Sequence, residues 1–481
     1  MAYTDIDDPT IYFNTKLYTG NGTAIGSGGQ SITGVGFAPD WTWIKERSST
    51  SPNKLLDTVR GATKELESNG NNTEATETES LASFDSDGFT VGNNGAVNQS
   101  SQTYVSWNWL AGGASPAITY SVKVVSDGGN KYRFDDFGTS AVTLDLQEGG
   151  TYTFDGSDSS MASHPIKLSE TSNGTHGGGS SYNTGVVYQL DGSTVTESAY
   201  VSGYSSASSR KLIITVAASA PTLYYYCHYH SGMGGQANTN STFGSSNFSG
   251  AVQSKVSANT TAGFSIVSFT GTGSATTVGH GLGSKLDWYI VRNRDDVEDW
   301  VVYHGANTSA PETDYIVLNL TNATGDSSGV WNDTAPTSSV FSVGTANSTN
   351  GSSDQQIAYC FTEKKGYSSF GSYKGNGNAD GTFVYTGFLP AWVMVKLTSG
   401  SDNWNIVDNK RNTFNEAENT MRANLTNTEY TGTAYGIDLL SNGFKCRTTD
   451  GNFNGNGSDY VYFAFAESPF VNSKGVPTNA R

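Results

Sequence analysis

"FTGTGSATTVGHGLGSKLDWYIVR" (residues 269–292) decides the fold, because the same pattern returns as "YKGNGNADGTFVYTGFLPAWVMVK" (373–396). In both stretches an aromatic residue precedes a Gly-x-Gly turn, and a later Trp opens an apolar run that ends in Arg292 or Lys396. Self-similarity at a fixed spacing is typical of an architecture that uses one structural unit several times. The chain is therefore expected to contain repeated units.

The match extends over whole units. "WVVYH" from Trp300 matches "WNIVD" from Trp404, and "LNLTNAT" (318–324) matches "ANLTNTE" (423–429). A further copy opens with "YTGNGT" (18–23) and continues with "GVGFAPDWTWIKER" (34–47). We therefore predict the following domains: an N-terminal attachment arm (1–16), repeat 1 (17–113), an unrelated block (117–240), repeat 2 (243–366), repeat 3 (367–470) and a C-terminal tail (471–481).

The composition of the repeats predicts an all-β chain. Short aromatic or β-branched runs such as "DWYIVR" and "YVYFAFAE" are separated by Gly and Asn clusters, as in tandem β-sandwiches. Two stretches with weak helical signals, 54–68 and 412–425, are interpreted as loop or short helix. Trp43, Trp288 and Trp392 lie in repeated strands and are predicted to be core residues, like the small thiols of Cys360 and Cys446.

The charge and the aromatic content exclude several classes of protein. The formal net charge is −17, which repels nucleic-acid phosphates and anionic lipids, so nucleic-acid binding is not expected. No stretch approaches the roughly 18 apolar residues of a membrane span, so membrane insertion is not expected. The 26 Tyr, 22 Phe and 9 Trp are too many for a disordered chain. Three cysteines do not make a disulfide framework. The opening "MAYTDIDDPTIYF" lacks the cationic start and apolar run of a signal peptide.

The unrelated block carries a candidate metal site. "TYTFDGSDSSMASHPIKL" (151–168) and "LYYYCHYHSGMGG" (223–235) together resemble the cupredoxin fold, the small blue-copper sandwich. The resemblance implies a copper set of His164, Cys227, His230 and Met233. A thiolate, two imidazoles and a weak axial thioether select copper. In the alternative interpretation Cys227 and Met233 fill the core and the histidines cap the edge of the sandwich. His176 and His228 have no assigned place.

The repeats resemble a domain of predicted virion proteins of marine bacteriophages, especially cyanophages. The residues that carry the resemblance are "YTGNGT" (18–23), "GFAPDWTWIKER" (36–47), "DSDGFTVG" (85–92), "GFLPAWVMVK" (387–396) and "YVYFAFAESPF" (460–470). The resemblance implies lectin-like or jelly-roll-like β-sandwiches and a non-enzymatic protein, made in the host cytoplasm and placed on the virion surface. It implies a tail fibre or other appendage for host attachment. The expected partners are other virion proteins, a host cell-surface glycan or protein, and further copies of the chain.

Three other functions stay open on the sequence alone: a capsid decoration or cement protein, a depolymerase of host polysaccharide, and a working copper redox domain. "DSDG" (85–88) and "DGSDSS" (155–160) resemble fragments of calcium loops, but neither continues to the distal Glu of such a loop. Asp and Gly in β-turns explain both fragments.

Overall fold

The computed structural model describes residues 3–479, with the exception of the side chain of residue 433. Strands make up 41% of the chain and helices 7%, which confirms the prediction of an all-β protein with several β-sandwich modules. The chain divides into two compact units. Unit 1 runs to Ala111 and resumes at Ala258, and unit 2 comprises Gly112–Ser257.

Unit 1 contains three sheet pairs, each with a large and a small antiparallel sheet. In sheet pair 1 the large sheet has the order Phe13–Thr19, Thr103–Trp109, Trp41–Glu46, Lys54–Asp57, Lys64–Glu67, Ala75–Thr76, and the small sheet Gln30–Thr33, Gly88–Val91, Leu81–Asp85. In sheet pair 2 the large sheet contains Phe264–Thr270, Gln355–Phe361, Trp288–Asn293, Val301–His304, Asp314–Val317, Gly325–Asp326, and the small sheet Thr276–Gly279, Val340–Val343. In sheet pair 3 the large sheet contains Ser368–Lys374, Asp459–Pro469, Phe388–Leu397, Trp404–Asp408, Met421–Arg422, and the small sheet Phe383–Tyr385, Gly443–Cys446, Ile437–Leu440. In every pair the last long strand lies between the first strand and the strand that contains Trp41, Trp288 or Trp392, which we call the Trp-led strand.

Short helical turns connect these strands. They are Pro9–Ile11, Ile25–Ser27, Gly95–Asn98, Ser328–Trp331, Asn347–Asn350 and Thr433–Tyr435.

The three large sheets share one core. Trp41, Trp288 and Trp392 hold corresponding positions, because each pairs in register with the aromatic residue near the end of the last long strand. Residues of all three pairs belong to a single buried cluster. All nine Trp residues lie in unit 1, and each is at most 2% exposed. The buried aromatic rings thus join the three sheet pairs in one core.

Buried cations join the sheet pairs in a cyclic order. The next-to-last residue of each Trp-led strand is a cation that donates to a backbone carbonyl of another pair. The contacts are Lys45 Nζ to Thr426 O (3.1 Å), Arg292 Nη2 to Asn72 O (2.6 Å) and Lys396 Nζ to Thr321 O (3.0 Å). Pair 1 thus contacts pair 3, pair 2 contacts pair 1, and pair 3 contacts pair 2. Burial lowers the pKa of Lys45 and of Lys396 to about 8 and that of Arg292 to about 10.

The Gly-x-Gly turns of the repeats are built around three buried asparagines. Asn98, Asn350 and Asn454 are fully buried, and each accepts a hydrogen bond from a backbone N–H of its turn. The first glycine of the turn has no room for a side chain. A Cβ on Gly271, for example, would lie 2.2 Å from the carbonyl oxygen of Gly351. Close packing therefore requires the first glycine of the turn, which is Gly20 in "YTGNGT".

Unit 2 is a sandwich of two mixed sheets. Its larger sheet has the order Asn130–Phe134, Ala117–Ser126, Thr151–Asp155, Arg210–Thr215, Val186–Leu190, Ser193–Val195. Its smaller sheet has the order Leu144–Gln147, Gly235–Asn240, Leu223–Cys227, Ile166–Ser169. Two pairings are parallel, Ala117–Ser126 with Thr151–Asp155 and Leu144–Gln147 with Gly235–Asn240. A hairpin of Ser245–Asn247 with Ser254–Asn259 follows, and the helical turns are Ser159–Met161, Gly174–Gly177 and Glu197–Gly203.

The interpretation of residues 54–68 as loop or short helix is wrong. Lys54–Asp57 and Lys64–Glu67 form an antiparallel hairpin, in which Leu55 and Leu66 are buried in the shared core. The charged side chains pair across the hairpin, with Lys54 Nζ at 2.6 Å from Glu65 and 2.7 Å from Glu67. The second such stretch, 412–425, contains the short strand Met421–Arg422.

The predicted arm, tail and core residues have the following places. The first strand begins at Phe13, and the backbone N–H of Asp5 donates to the carbonyl of Lys365. In the tail, Ser473 N–H donates to Asp7, and residues 480–481 lie outside the described part of the chain.

Residues 243–257 pack within unit 2, where Phe248 stacks on Phe134. Trp43, Trp288, Trp392, Cys360 and Cys446 are buried, as predicted.

Candidate metal centre

Two neighbouring strands of unit 2 bring His164 and Cys227 together. Cys227 ends the strand Leu223–Cys227, and it pairs in antiparallel register with Ile166, two residues after His164. His230 follows Cys227 in the next turn. Sequence positions that are 63 residues apart are thus adjacent in the fold.

The three side chains converge through their donor atoms. Cys227 Sγ lies 3.5 Å from His230 Nδ1 and 3.8 Å from His164 Nδ1, and all three donor atoms fall within 4.8 Å of one another. A sulfur and a nitrogen bound to one metal, at about 2.3 and 2.0–2.1 Å, are separated by about 3.5–3.8 Å when the angle between the bonds is tetrahedral or trigonal. The two sulfur–nitrogen separations therefore match those of a thiolate and two imidazoles bound to one metal ion. This is the only such group of His, Cys, Asp and Glu side chains among residues 3–479.

The centre has a buried side and an open side. Cys227 is fully buried and His164 is 8% exposed, whereas His230 is exposed. Burial, followed by the neighbouring His230 ring, lowers the pKa of His164 and favours the neutral imidazole that can bind a metal. Met233, the fourth predicted ligand, is 1% exposed and belongs to the same hydrophobic cluster as Cys227.

The turn that carries His230 and Met233 is held in place by groups that the sequence analysis did not identify. Asn173 accepts a hydrogen bond from Gly232 N–H and donates one to Ser231 Oγ, both at 2.8 Å. Gly234 passes so close to Tyr225 that a Cβ would lie 1.7 Å from its carbonyl oxygen. "SGMGG" is therefore a fixed turn, in which close packing requires Gly234 and Gly235, and a positive φ of 73° favours glycine at Gly232.

His228 and His176 lie outside the convergent set. The backbone N–H of His228 donates to the carbonyl of Pro165 at 2.9 Å, and its Nδ1 is 3.5 Å from Lys167 Nζ. His176 Nε2 lies 3.1 Å from the carbonyl oxygen of Cys227, to which it donates as the Nε2–H tautomer. His176 thus fixes the backbone at the thiol, and such contacts around a metal ligand orient it.

Comparison with protein families matches most of the chain to one of them. The family described as "Domain of unknown function (DUF7483)" matches residues 8–128 and 237–469. The chain belongs to the DUF7483 family. No curated protein and no solved structure matches it. Among the described residues, no helix has the length and apolar character to cross a membrane.

The boundaries of the DUF7483 match separate the repeats from the candidate metal centre. The two matched segments contain the Gly-x-Gly turns and the Trp-led strands of all three sheet pairs. His164, Cys227, His230 and Met233 all fall between the segments, in residues 129–236. The ligand set thus belongs to a block that the DUF7483 pattern does not include.

Proposed function

We propose that this chain is a non-enzymatic structural protein of a bacteriophage virion, a component of a tail fibre or other appendage that contacts the host surface, and that unit 2 holds a copper ion. The observation that supports the second part is the convergence of His164, Cys227 and His230, whose donor atoms lie within 4.8 Å of one another. Two imidazoles and a thiolate, with a thioether from Met233, match the soft ligand set of copper rather than that of Mg²⁺ or Ca²⁺.

The residues of the centre divide into a ligand set and its support. His164, Cys227 and His230 would bind the ion, and the thioether of the buried Met233 would be the fourth ligand. Bound copper supplies one-electron redox chemistry and cross-links the turn to two strands. Because binding to the native state alone adds to folding free energy, the cross-link stabilises unit 2. We favour this stabilising role for a virion protein.

Copper binding is tested on the full chain by adding Cu²⁺ to metal-free protein. We expect a strong visible charge-transfer band from the Cys227 thiolate and a higher melting temperature of unit 2. Cys227→Ser should lose the band, whereas Cys446→Ser, which changes a buried thiol of unit 1, should keep it. His230→Ala changes an exposed side chain, so the folded variant should bind copper weakly. If wild-type protein gives neither the band nor the shift in melting, the copper proposal is wrong.

The closed arrangement of unit 1 supports the appendage proposal. Three sheet pairs around one core give a rigid scaffold that presents corresponding loops of each pair. Loops on a rigid sheet scaffold are where binding residues concentrate. Many copies of such a surface on one particle would bind a host by avidity.

The location of the protein on an intact particle tests the appendage proposal. Antibodies against unit 1 should label tail appendages and reduce adsorption to the host. A copy number that matches the capsid lattice would favour the decoration alternative, and release of sugar from the host envelope would favour the depolymerase. If the protein is neither on a virion nor encoded by a phage genome, the proposal fails.

A further inference from the structure

Two of the three junctions between sheet pairs are closed by buried charge triads. Where pair 3 meets pair 1, Glu429 lies 2.8 Å from Arg47 and 3.1 Å from Arg411. Where pair 1 meets pair 2, Glu74 makes the equivalent contacts, 2.8 Å to Arg294 and 3.4 Å to Arg60. In both triads the glutamate is 10% exposed or less, so the triad fills its junction.

The third junction lacks these charges. The positions that correspond to Glu74, Arg294 and Arg60 are occupied by Thr324, Thr398 and Asn307. The correspondence is visible in the backbone, because Thr324 N–H donates to Thr398 O just as Glu74 N–H donates to Arg294 O. Thr324 Oγ1 donates to Asn307 at 2.9 Å in place of an ion pair. Three long charged side chains are thus replaced by short neutral ones.

A cleft of about 680 Å³ lies at this third junction. Leu320, Thr324 and Gly325 of pair 2 and Ser401 of pair 3 are among its lining residues. Gly325 pairs with Tyr315, whose ring lies directly over it, since a Cβ on Gly325 would be 2.7 Å from the ring. Thr324, which stands where the other two junctions have a glutamate, is one of the residues that line this cleft.

The lining offers hydrogen-bonding groups that the protein itself does not use. Within residues 3–479, the side chains of Glu298, Asn322, Tyr315, Ser348 and Ser401 have no hydrogen-bond partner, and all five line the cleft. The cleft is lined by no Lys, Arg or His side chain of the described chain. Burial, reinforced by the charge of Asp296, raises the pKa of Glu298.

We propose that this cleft binds a neutral glycan. Hydroxyl, amide and carboxylate groups around an aromatic ring match the alternating polar edges and apolar faces of a pyranose, and the volume suits a short oligosaccharide. The carboxylates of Glu298 and Asp299, without a cation in the lining, disfavour phosphorylated, sulfated or sialylated ligands. The glycan assignment rests on the appendage proposal, because it names the kind of host molecule that the appendage would contact.

Binding of uncharged oligosaccharides to the full chain, measured on a glycan array and by calorimetry, tests the assignment. Neutral glycans should bind, and Glu298→Gln and Tyr315→Ala should each weaken binding about tenfold. Asn322→Ala should weaken it as well, whereas Asn427→Ala, at the corresponding position of sheet pair 3, should not. The combination of Thr324→Glu with Thr398→Arg should rebuild the ion pair and abolish binding.

The outcomes separate this inference from the appendage proposal. Tryptophan emission, which reports unit 1, checks that each variant is folded. Exclusive binding of anionic glycans or of cationic peptides, or equal affinity of wild type and Thr324→Glu/Thr398→Arg, would overturn the glycan assignment. If in that case antibodies still place the protein on appendages and block adsorption, only the cleft assignment has failed.

Discussion

Replacement of Asn454 by Ala should strongly destabilise unit 1. Asn454 is fully buried, accepts a hydrogen bond from Asn376 N–H at 2.9 Å, and donates to the carbonyls of Asn378 and Thr448 at 2.8 Å. Each bond contributes about 1 kcal/mol net, and unpaired buried groups cost more, so the three bonds predict a loss of about 3–5 kcal/mol.

The loss can be measured for unit 1 alone. Because all nine Trp residues lie there, the urea midpoint of Trp emission reports the unfolding of unit 1 without a contribution from unit 2. Asn427→Ala, at an exposed side chain with no hydrogen-bond partner in the described chain, is the control and should change stability by less than about 0.5 kcal/mol. A loss below about 1 kcal/mol for Asn454→Ala would refute the view that the asparagine holds the Gly-x-Gly turn.

Further outcomes are expected at three other positions. Burial lowers the pKa of Lys396 to about 8, so between about pH 8 and 10.4 the unfolded chain binds more protons than the folded one and stability should rise with pH. Lys396→Met should reduce that rise, as measured by urea midpoints at about pH 7.5 and 9.5, and an unchanged pH dependence would contradict the cause. Gly271→Ala should destabilise unit 1 by more than about 2 kcal/mol in the same assay, whereas Gly26→Ala, with nothing within 4 Å of the added Cβ, should be neutral. Asn173→Ala removes two hydrogen bonds from the ligand turn and should weaken copper binding about tenfold in a chelator competition, and an unchanged affinity would show that the turn is held by other contacts.

Local patterns in the sequence predicted the strands and the repeats well. The Trp-led runs around Trp288 and Trp392 are strands in register, because a strand buried on both faces requires a continuous apolar run. The prediction of a loop or short helix from Lys54 to Glu67 was wrong. The charged side chains of this stretch pair with one another across a hairpin, so the sequence does not show the alternation of apolar and polar residues that indicates a strand.

Contacts between distant positions could not be predicted in the same way. Lys45 donates to the carbonyl of Thr426, which is 381 positions away. A lysine that is followed by Glu46 looks like one half of a local ion pair, so the sequence does not indicate this distant contact. The candidate ligands Cys227 and His230 were recognised through the resemblance of "LYYYCHYHSGMGG" to the ligand loop of the cupredoxin fold. Asn173, which holds their turn, was not recognised, because an Asn in a Gly-rich loop is ordinary turn chemistry.

The cyclic order of the buried cations has an evolutionary consequence. Every junction uses the same donor position on one sheet pair and the same acceptor loop on another, so the three contacts repeat in the head-to-tail order of a closed trimeric ring. In a homotrimer a substitution changes all three junctions at once. In a single chain each junction can differ from the others, as the neutral Thr324 shows beside the charged Glu74 and Glu429 of the other two junctions.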